Sequence, residues 1–161
     1  MSSVVTAFVA ALVLWLGGCA HATSRSERTP ERIPGDSLVR LFHSQFDGPA
    51  VAVRQVVRDP IRWRRAWIRA RSATTDSAPP AVDFSRQMVI IAGMGSVPST
   101  GFELFIDSVV PIETETLVFV RSTSSGSCPA GGMEARPVDI VRVPRTTSPV
   151  QFMEETEVHR C

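Results

Sequence analysis

One amphipathic helix, in a chain otherwise made of short apolar segments, is the sequence feature that most constrains the fold. Asp59 and Pro60 mark its start, because aspartate caps the free N–H groups of a helix and proline suits the first helical position. In residues 61–71, apolar side chains recur at helical spacing on one side and arginines lie on the other. The apolar positions are Trp63, Ala66, Trp67 and Ala70. This stripe predicts a helix packed on a β-sheet through its tryptophans.

Segments with the apolar spacing of β-strands lie on both sides of this helix. They are residues 37–46, 50–57, 87–94, 101–110, 116–121, 137–143 and 150–154. The turn at Asp47, Gly48 and Pro49 predicts a hairpin from the first two segments, and the nearly continuous apolar run 87–94 predicts a central strand. The expected fold class is α+β, mainly β. The expected architecture is an antiparallel meander of six or seven strands, bent or sandwich-like, with one helix bearing Trp and Arg packed on it.

The N-terminal segment has the pattern of an export signal. Residues 4–16 are almost entirely apolar and no charged residue precedes Arg25, yet the run is shorter than the roughly 20 residues that span a bilayer. It ends in Leu16-Gly17-Gly18-Cys19, which resembles the lipobox of bacterial lipoproteins. We therefore expect residues 1–18 to be a signal peptide and Cys19 to be lipidated. The alternative is an ordinary secreted protein with an unrelated cysteine.

The composition after this signal predicts a tether followed by one domain. Residues 19–35 are rich in Arg, Ser, Thr and Pro, so we expect a flexible tether, whereas residues 36–161 are enough for a single domain with its own core. Ala20 after the cysteine favours the outer membrane, with the domain facing the periplasm. Export and a net charge of +1 argue against a nucleic-acid partner. All 17 basic residues are Arg and no Tyr is present, which excludes lysine and tyrosine chemistry.

Cys128 and Cys161 are the two cysteines that remain once Cys19 carries lipid. In an exported chain an even pair is expected to form a disulfide. Closing a loop of about 33 residues stabilises a fold by roughly 3 to 4 kcal/mol on the chain-entropy model. The alternative is a reactive Cys128 thiol.

Several motifs together resemble the PrcB C-terminal-like domain family, over roughly residues 59–155. The matching segments are Trp63…Trp67, Val82-Asp83-Phe84 leading to Met88-Val89-Ile90, Pro98-Ser99-Thr100-Gly101-Phe102-Glu103-Leu104-Phe105-Ile106 and Pro137-Val138-Asp139-Ile140-Val141-Arg142-Val143-Pro144. The chain departs from the family at Ser99-Thr100-Gly101-Phe102, where a doubled glycine and a tyrosine are usual, and at Arg142, where a lysine is usual. The resemblance implies a non-catalytic subunit that assists a bacterial surface protease.

No catalytic, cofactor-binding or metal-binding residue is predicted from the sequence. The histidines at 21, 43 and 159 are not at metal-ligand spacing. The hydroxyl-rich loop 124–128 lacks the second glycine of a nucleophile elbow, because Pro129 stands there, and is expected to be a solvated hairpin tip. Glu113 and Glu115 are expected to flank a turn. A hydrolase would instead require His43 in a pocket with an acid and a hydroxyl.

The arginine side of the helix is the candidate interaction surface, represented by Arg62, Arg65 and Arg69. Clustered arginines suit anionic head groups or an acidic protein face, and the alternative is an ordinary solvated helix face. We therefore expect a lipid-anchored, non-catalytic envelope protein that binds or stabilises another exported protein, such as a protease. The alternative function is a small ligand-binding or hydrolytic lipoprotein, and a passive envelope component is a third.

Overall fold

The computed structural model describes residues 38–71 and 78–160. Within these ranges it contains seven β-strands and one α-helix. In chain order they are β1 (Val39–Ser44), β2 (Val53–Val57), α1 (Pro60–Ala70), β3 (Gln87–Gly93), β4 (Glu103–Pro111), β5 (Thr116–Ser124), β6 (Val138–Pro144) and β7 (Val150–Val158). The expected α+β, mainly β class is confirmed.

The strands form two sheets that pack face to face. The larger sheet has the order β1-β6-β3-β2 and is antiparallel throughout. The smaller sheet has the order β4-β5-β7, in which β4 pairs antiparallel and β7 parallel with β5. Because α1 covers the other face of the larger sheet, the described chain has three layers: helix, four-stranded sheet and three-stranded sheet.

The strand connections differ from the predicted meander, and the predicted hairpin of residues 37–46 and 50–57 is wrong. β1 and β2 lie at opposite edges of the larger sheet, because the apolar strands β6 and β3 occupy its two central positions. The glycine of the intervening turn, Gly48, donates its N–H to the carbonyl oxygen of Arg136 at 2.8 Å. The turn therefore carries the chain across the end of the sheet instead of folding β2 back onto β1.

The predicted central strand, β3, is buried on both faces. Val89 and Ile91 face α1, whereas Met88 and Ile90 face the smaller sheet. Since alternate side chains of a strand point to opposite faces, a strand covered on both sides must be apolar throughout. The nearly continuous apolar run 87–94 is the sequence signature of this sandwiched position.

Helix α1 begins and packs as its sequence predicts. The Asp59 carboxylate accepts the backbone N–H of Arg62 at 2.8 Å, and Pro60 occupies the first turn. Trp63 and Trp67 are buried and lie edge to face, with 5.3 Å between ring centroids. The Trp63 indole N–H donates to the carbonyl oxygen of Pro80 at 3.0 Å. The tryptophans thus fix the helix on the larger sheet.

The predicted signal peptide (1–18), the whole tether (19–35) and the lipidated Cys19 lie outside the described residues, as does Cys161. The described chain starts two residues after the expected domain boundary at 36, and β1 follows at once. Across 38–71 and 78–160, no helix has both the length and the apolar character needed to cross a membrane.

Candidate functional site

The outer face of α1 exposes every arginine that the sequence assigned to it. Arg62, Arg65 and Arg69 are exposed, and so is Arg64. The helix contains no acidic residue, and the ion pair that it makes with a described residue joins Arg62 Nε to the Asp59 carboxylate at 3.4 Å. Among residues 38–71 and 78–160, ion pairs therefore leave most charges of this face uncompensated.

Two isoleucines on the same face were missed by the sequence interpretation. Ile61 and Ile68 expose 68% and 67% of their surface. They are seven residues apart, which is about two helical turns, so they lie almost in line with Arg64 and Arg65 between them. A shallow cavity of about 330 Å³ is lined by Pro60, Ile61, Arg64 and Arg65. The centre of the outer face is therefore both cationic and apolar.

A groove runs between α1 and the edge strand β2. Its cavity of about 280 Å³ is lined on the helix side by Ala66 and Ala70, on the strand side by Val53, and below by Ile91. Because the two alanines have small side chains, they leave space between helix and strand that larger residues would fill. Arg69 contributes to the lining. The groove is mainly apolar with one cation beside it.

The strand side of this groove presents an unpaired β edge. β2 is the last strand in the order of the larger sheet, so no described strand pairs with its outer edge. Edge strands carry alternate backbone N–H and C=O groups that another strand can bind. Val51, immediately before β2 and part of the groove lining, exposes 78% of its surface. The edge of β2 and the exposed Val51 therefore leave backbone groups and an apolar side chain accessible side by side.

A second cluster lies where the two sheets meet, and the sequence interpretation did not identify it. Asp139 of β6 is fully buried, and its carboxylate accepts two hydrogen bonds from Arg40, at 2.8 and 3.0 Å. It also accepts the backbone N–H of Ile106 in β4 at 2.8 Å. His43 Nδ1 lies 3.7 Å from the same carboxylate, and the His43 ring stacks on Phe105 with 4.6 Å between centroids.

An irregularity in β1 places Arg40 and His43 on the same side of the sheet. Residues an odd number of positions apart normally point to opposite faces of a strand. The pairing of β1 with β6 shifts register between Arg40 and Phe42, so Leu41 is an additional residue in β1. Such a bulge redirects the side chains beyond it. No local sequence signal marks this bulge, which is why His43 could not be paired with Asp139 in advance.

Within this cluster, Arg40 and Asp139 form a stable ion pair. The pKa of Arg40 is raised above its ordinary value, chiefly by its hydrogen bonds to Asp139 and despite partial burial. The His43–Asp139 distance of 3.7 Å exceeds hydrogen-bond length. Ser44, the neighbouring hydroxyl, donates instead to the Asp47 carboxylate at 2.8 Å. The cluster therefore brings His43 and an acid together, whereas Ser44 is engaged elsewhere.

The loop after β5 adjoins the end of the described chain. Cys128 is disulfide-bonded, and its predicted partner, Cys161, lies outside the described residues. The backbone N–H of His159 donates to the Ser124 carbonyl oxygen at 2.9 Å. A cavity of about 250 Å³ beside this loop includes Glu103, Cys128 and His159 in its lining. Backbone contacts alone thus place the loop next to the end of the described chain.

The remaining sequence candidates fall into structural roles. Glu113 and Glu115 lie in the turn between β4 and β5, as expected, where the Ile112 N–H donates to the Glu115 carbonyl oxygen at 2.8 Å. Within residues 38–71 and 78–160, no three His, Cys, Asp or Glu side chains are arranged to hold a metal ion.

Comparison with known proteins gives no match: no family model fits the chain, and no curated protein or solved structure is significantly similar to it.

Proposed function

We propose that this protein is a lipid-anchored, non-catalytic component of the bacterial envelope that binds an extended segment of another exported protein. The observation that carries the proposal is the groove between α1 and the edge of β2 that no described strand pairs with, with Val51 exposed at its end. The predicted lipid on Cys19 would hold this groove at the membrane, on the periplasmic side of the outer membrane.

The groove has the two properties that strand addition requires. The free edge of β2 offers backbone hydrogen bonds, which supply affinity without regard to sequence. The space bounded by Ala66, Ala70 and Ile91 accepts an apolar side chain of the incoming strand, which supplies selectivity. Because an incoming strand would replace water at backbone groups that are already extended, little reorganisation of the domain is needed.

The charge of the groove favours a particular kind of bound segment. Arg69 lines the groove, none of its described lining residues is acidic, and Arg62 lies on the same side of α1 two turns earlier. An acidic residue beside an apolar anchor therefore suits the site better than a basic one. The motif resemblance to the PrcB C-terminal-like family makes an exported protease, or a protein bound to one, the first partner to examine.

Site-specific photocrosslinking in cells tests this proposal. A photoreactive amino acid at Val51 is expected to give a discrete adduct with a second protein. The same amino acid at Met153, an apolar residue of the smaller sheet that is 44% exposed, is the matched control and should not give that adduct. Ala70→Leu should fill the groove and suppress the Val51 adduct. Equal adducts from both positions, or an adduct that survives Ala70→Leu, would contradict groove binding.

A small hydrolytic or ligand-binding lipoprotein is the second candidate, favoured by the position of His43 beside the buried carboxylate of Asp139. A hydrolase with an activated serine is expected to react with a fluorophosphonate, and the reaction should be lost in His43→Ala. Absence of labelling in the purified, folded protein would count against an activated serine.

A further inference from the structure

We infer that the outer face of α1 is a second membrane contact, in which the protein surface itself docks on anionic lipid head groups. The centre of this face is separate from the groove, which opens beside the helix towards β2 and which only Arg69 borders from the outer face. The inference also goes beyond the predicted lipid anchor, because it assigns binding to the side chains of a folded surface.

The outer face of α1 combines arginines with exposed apolar side chains. Its centre consists of Ile61, Arg64, Arg65 and Ile68. Neither Arg64 nor Arg65 forms an ion pair with a residue of the described ranges, so both guanidinium groups are free to bind phosphate oxygens. The two isoleucines, each about two-thirds exposed, are placed to enter the boundary between head groups and acyl chains. The shallow cavity beside Pro60 and Ile61 adds a recess for a head group.

Charge is distributed unevenly across the three layers. Helix α1 carries four arginines and no acidic residue. The strands β4, β5 and β7 of the opposite layer carry five acidic residues and one arginine. The acidic residues are Glu103, Asp107, Glu154, Glu155 and Glu157, all exposed. An anionic surface would therefore attract one layer and repel the other, which orients the molecule with α1 towards the lipid.

The shape of the face favours a lipid surface over an acidic protein as its partner. Arg64 and Arg65 lie on either side of the line from Ile61 to Ile68, and the recess that they line with Pro60 and Ile61 is shallow, so it does not enclose a single carboxylate. A convex helix with apolar residues in line between cations matches a broad anionic layer with an apolar interior. Each arginine near such a surface contributes about 1 kcal/mol, which is about a fivefold change in partitioning.

Vesicle flotation tests the inference. The chain without residues 1–19 is used, so that no lipid on Cys19 contributes. Both cores are formed by residues from Leu38 onwards and are retained. This chain is expected to float with phosphatidylglycerol-containing vesicles and not with phosphatidylcholine vesicles, and to lose binding as salt is raised. Arg64→Ala with Arg65→Ala should weaken partitioning by about 25-fold, from the fivefold change per charge. Ile68→Asp should weaken it independently.

The control removes the same charge elsewhere. The double variant Arg136→Ala with Arg160→Ala removes two arginines that lie outside α1. Its binding to the anionic vesicles should stay close to that of the parent chain. Ala70→Leu, which fills the groove, should also leave it unchanged, so failure of the membrane contact and failure of groove binding are distinguishable. Equal loss in the control and α1 variants, equal binding to both vesicle types, or binding to an acidic protein without binding to vesicles would overturn the inference. Thermal unfolding of each variant checks that α1 remains folded.

Discussion

Arg40 and Asp139 form a bidentate ion pair at the seam between the two sheets. Arg40 Nε and Nη2 donate to the two carboxylate oxygens at 2.8 and 3.0 Å. The same two side chains bind the backbone of Ile106: Asp139 accepts its N–H at 2.8 Å, and Arg40 donates to its carbonyl oxygen at 3.3 Å. The Arg40 and Asp139 side chains of the larger sheet thus bind backbone groups of β4 that a neighbouring strand would otherwise pair with.

Removing one partner of this pair is expected to destabilise the protein substantially. Arg40→Ala leaves the fully buried Asp139 carboxylate with the Ile106 N–H as its main remaining partner. Loss of one member of a buried ion pair costs about 3 to 5 kcal/mol. Because the Arg40 side chain is itself 41% exposed, we expect about 2 to 4 kcal/mol. Urea unfolding followed by tryptophan fluorescence measures the change in the free energy of unfolding.

An exposed pair provides the control for this prediction. Arg121 Nε lies 2.8 Å from the Asp107 carboxylate, and both side chains are partly in water. Exposed ion pairs contribute about 0 to 1 kcal/mol, so Asp107→Asn should have a small effect. If Arg40→Ala and Asp107→Asn lower the free energy of unfolding by similar amounts, burial of Asp139 does not determine how much the Arg40–Asp139 pair stabilises the fold.

The elements themselves were predictable because their signals are local. The cap at Asp59, the helical stripe of Trp63 and Trp67, and the uninterrupted apolar run of β3 each follow from neighbouring residues. Exposure of Arg65 follows from the same helical spacing. What these signals specify is the type of element and the face that each one buries.

The order of the strands and the cluster of Arg40, His43 and Asp139 between the sheets were not predictable, because both depend on contacts between residues distant in the sequence. β6 enters between β1 and β3 although more than 40 residues separate it from β3 along the chain. The bulge at Leu41 arises from this pairing, and it alone brings His43 to the side of Asp139. Ile61 and Ile68 carry no such signal either, because they lie outside the buried stripe of α1 and a single exposed apolar residue is common on a helix surface.

Asp83, which lies shortly before β3, is expected to contribute to the decrease in the free energy of unfolding at acidic pH. The pKa of Asp83 is lowered, chiefly by a hydrogen bond from the Ser85 hydroxyl at 2.6 Å and then by the Ser85 backbone N–H at 3.0 Å. A lowered pKa stabilises the fold above the unfolded value of about 4, and this contribution is lost as pH falls through the lower folded value.

Ser85→Ala is therefore expected to raise the pKa of Asp83 part of the way towards its ordinary value, since the backbone hydrogen bond remains. The carboxyl carbon shift of Asp83, followed by NMR during an acid titration, measures this directly. The stability difference between the variant and the parent should be present at neutral pH and diminish in acid. An unchanged Asp83 titration in Ser85→Ala would show that the hydroxyl does not hold the carboxylate charge.

Lipidation at Cys19 is predicted from sequence and is checked by intact mass. Protein extracted from the envelope is expected to lack residues 1–18 and to carry the mass of a diacylglycerol, because two or more acyl chains are needed for stable anchoring. Cys19→Ser should leave the chain without lipid and release it from the membrane fraction at high salt. A mature protein that begins at another residue, or that has no added lipid mass, would favour the ordinary secreted protein.

The disulfide of Cys128 is expected to join the chain end at Cys161. The backbone supports this pairing: His159 donates to the Ser124 carbonyl oxygen at 2.9 Å, and a Cβ at Gly126 would lie only 2.3 Å from the His159 carbonyl oxygen. Cys128→Ser and Cys161→Ser should each lower the free energy of unfolding by roughly 3 kcal/mol. The double variant should lose no more than either single one, because one bond is removed in all three. Additive losses, or a peptide map linking Cys128 to Cys19, would contradict the pairing.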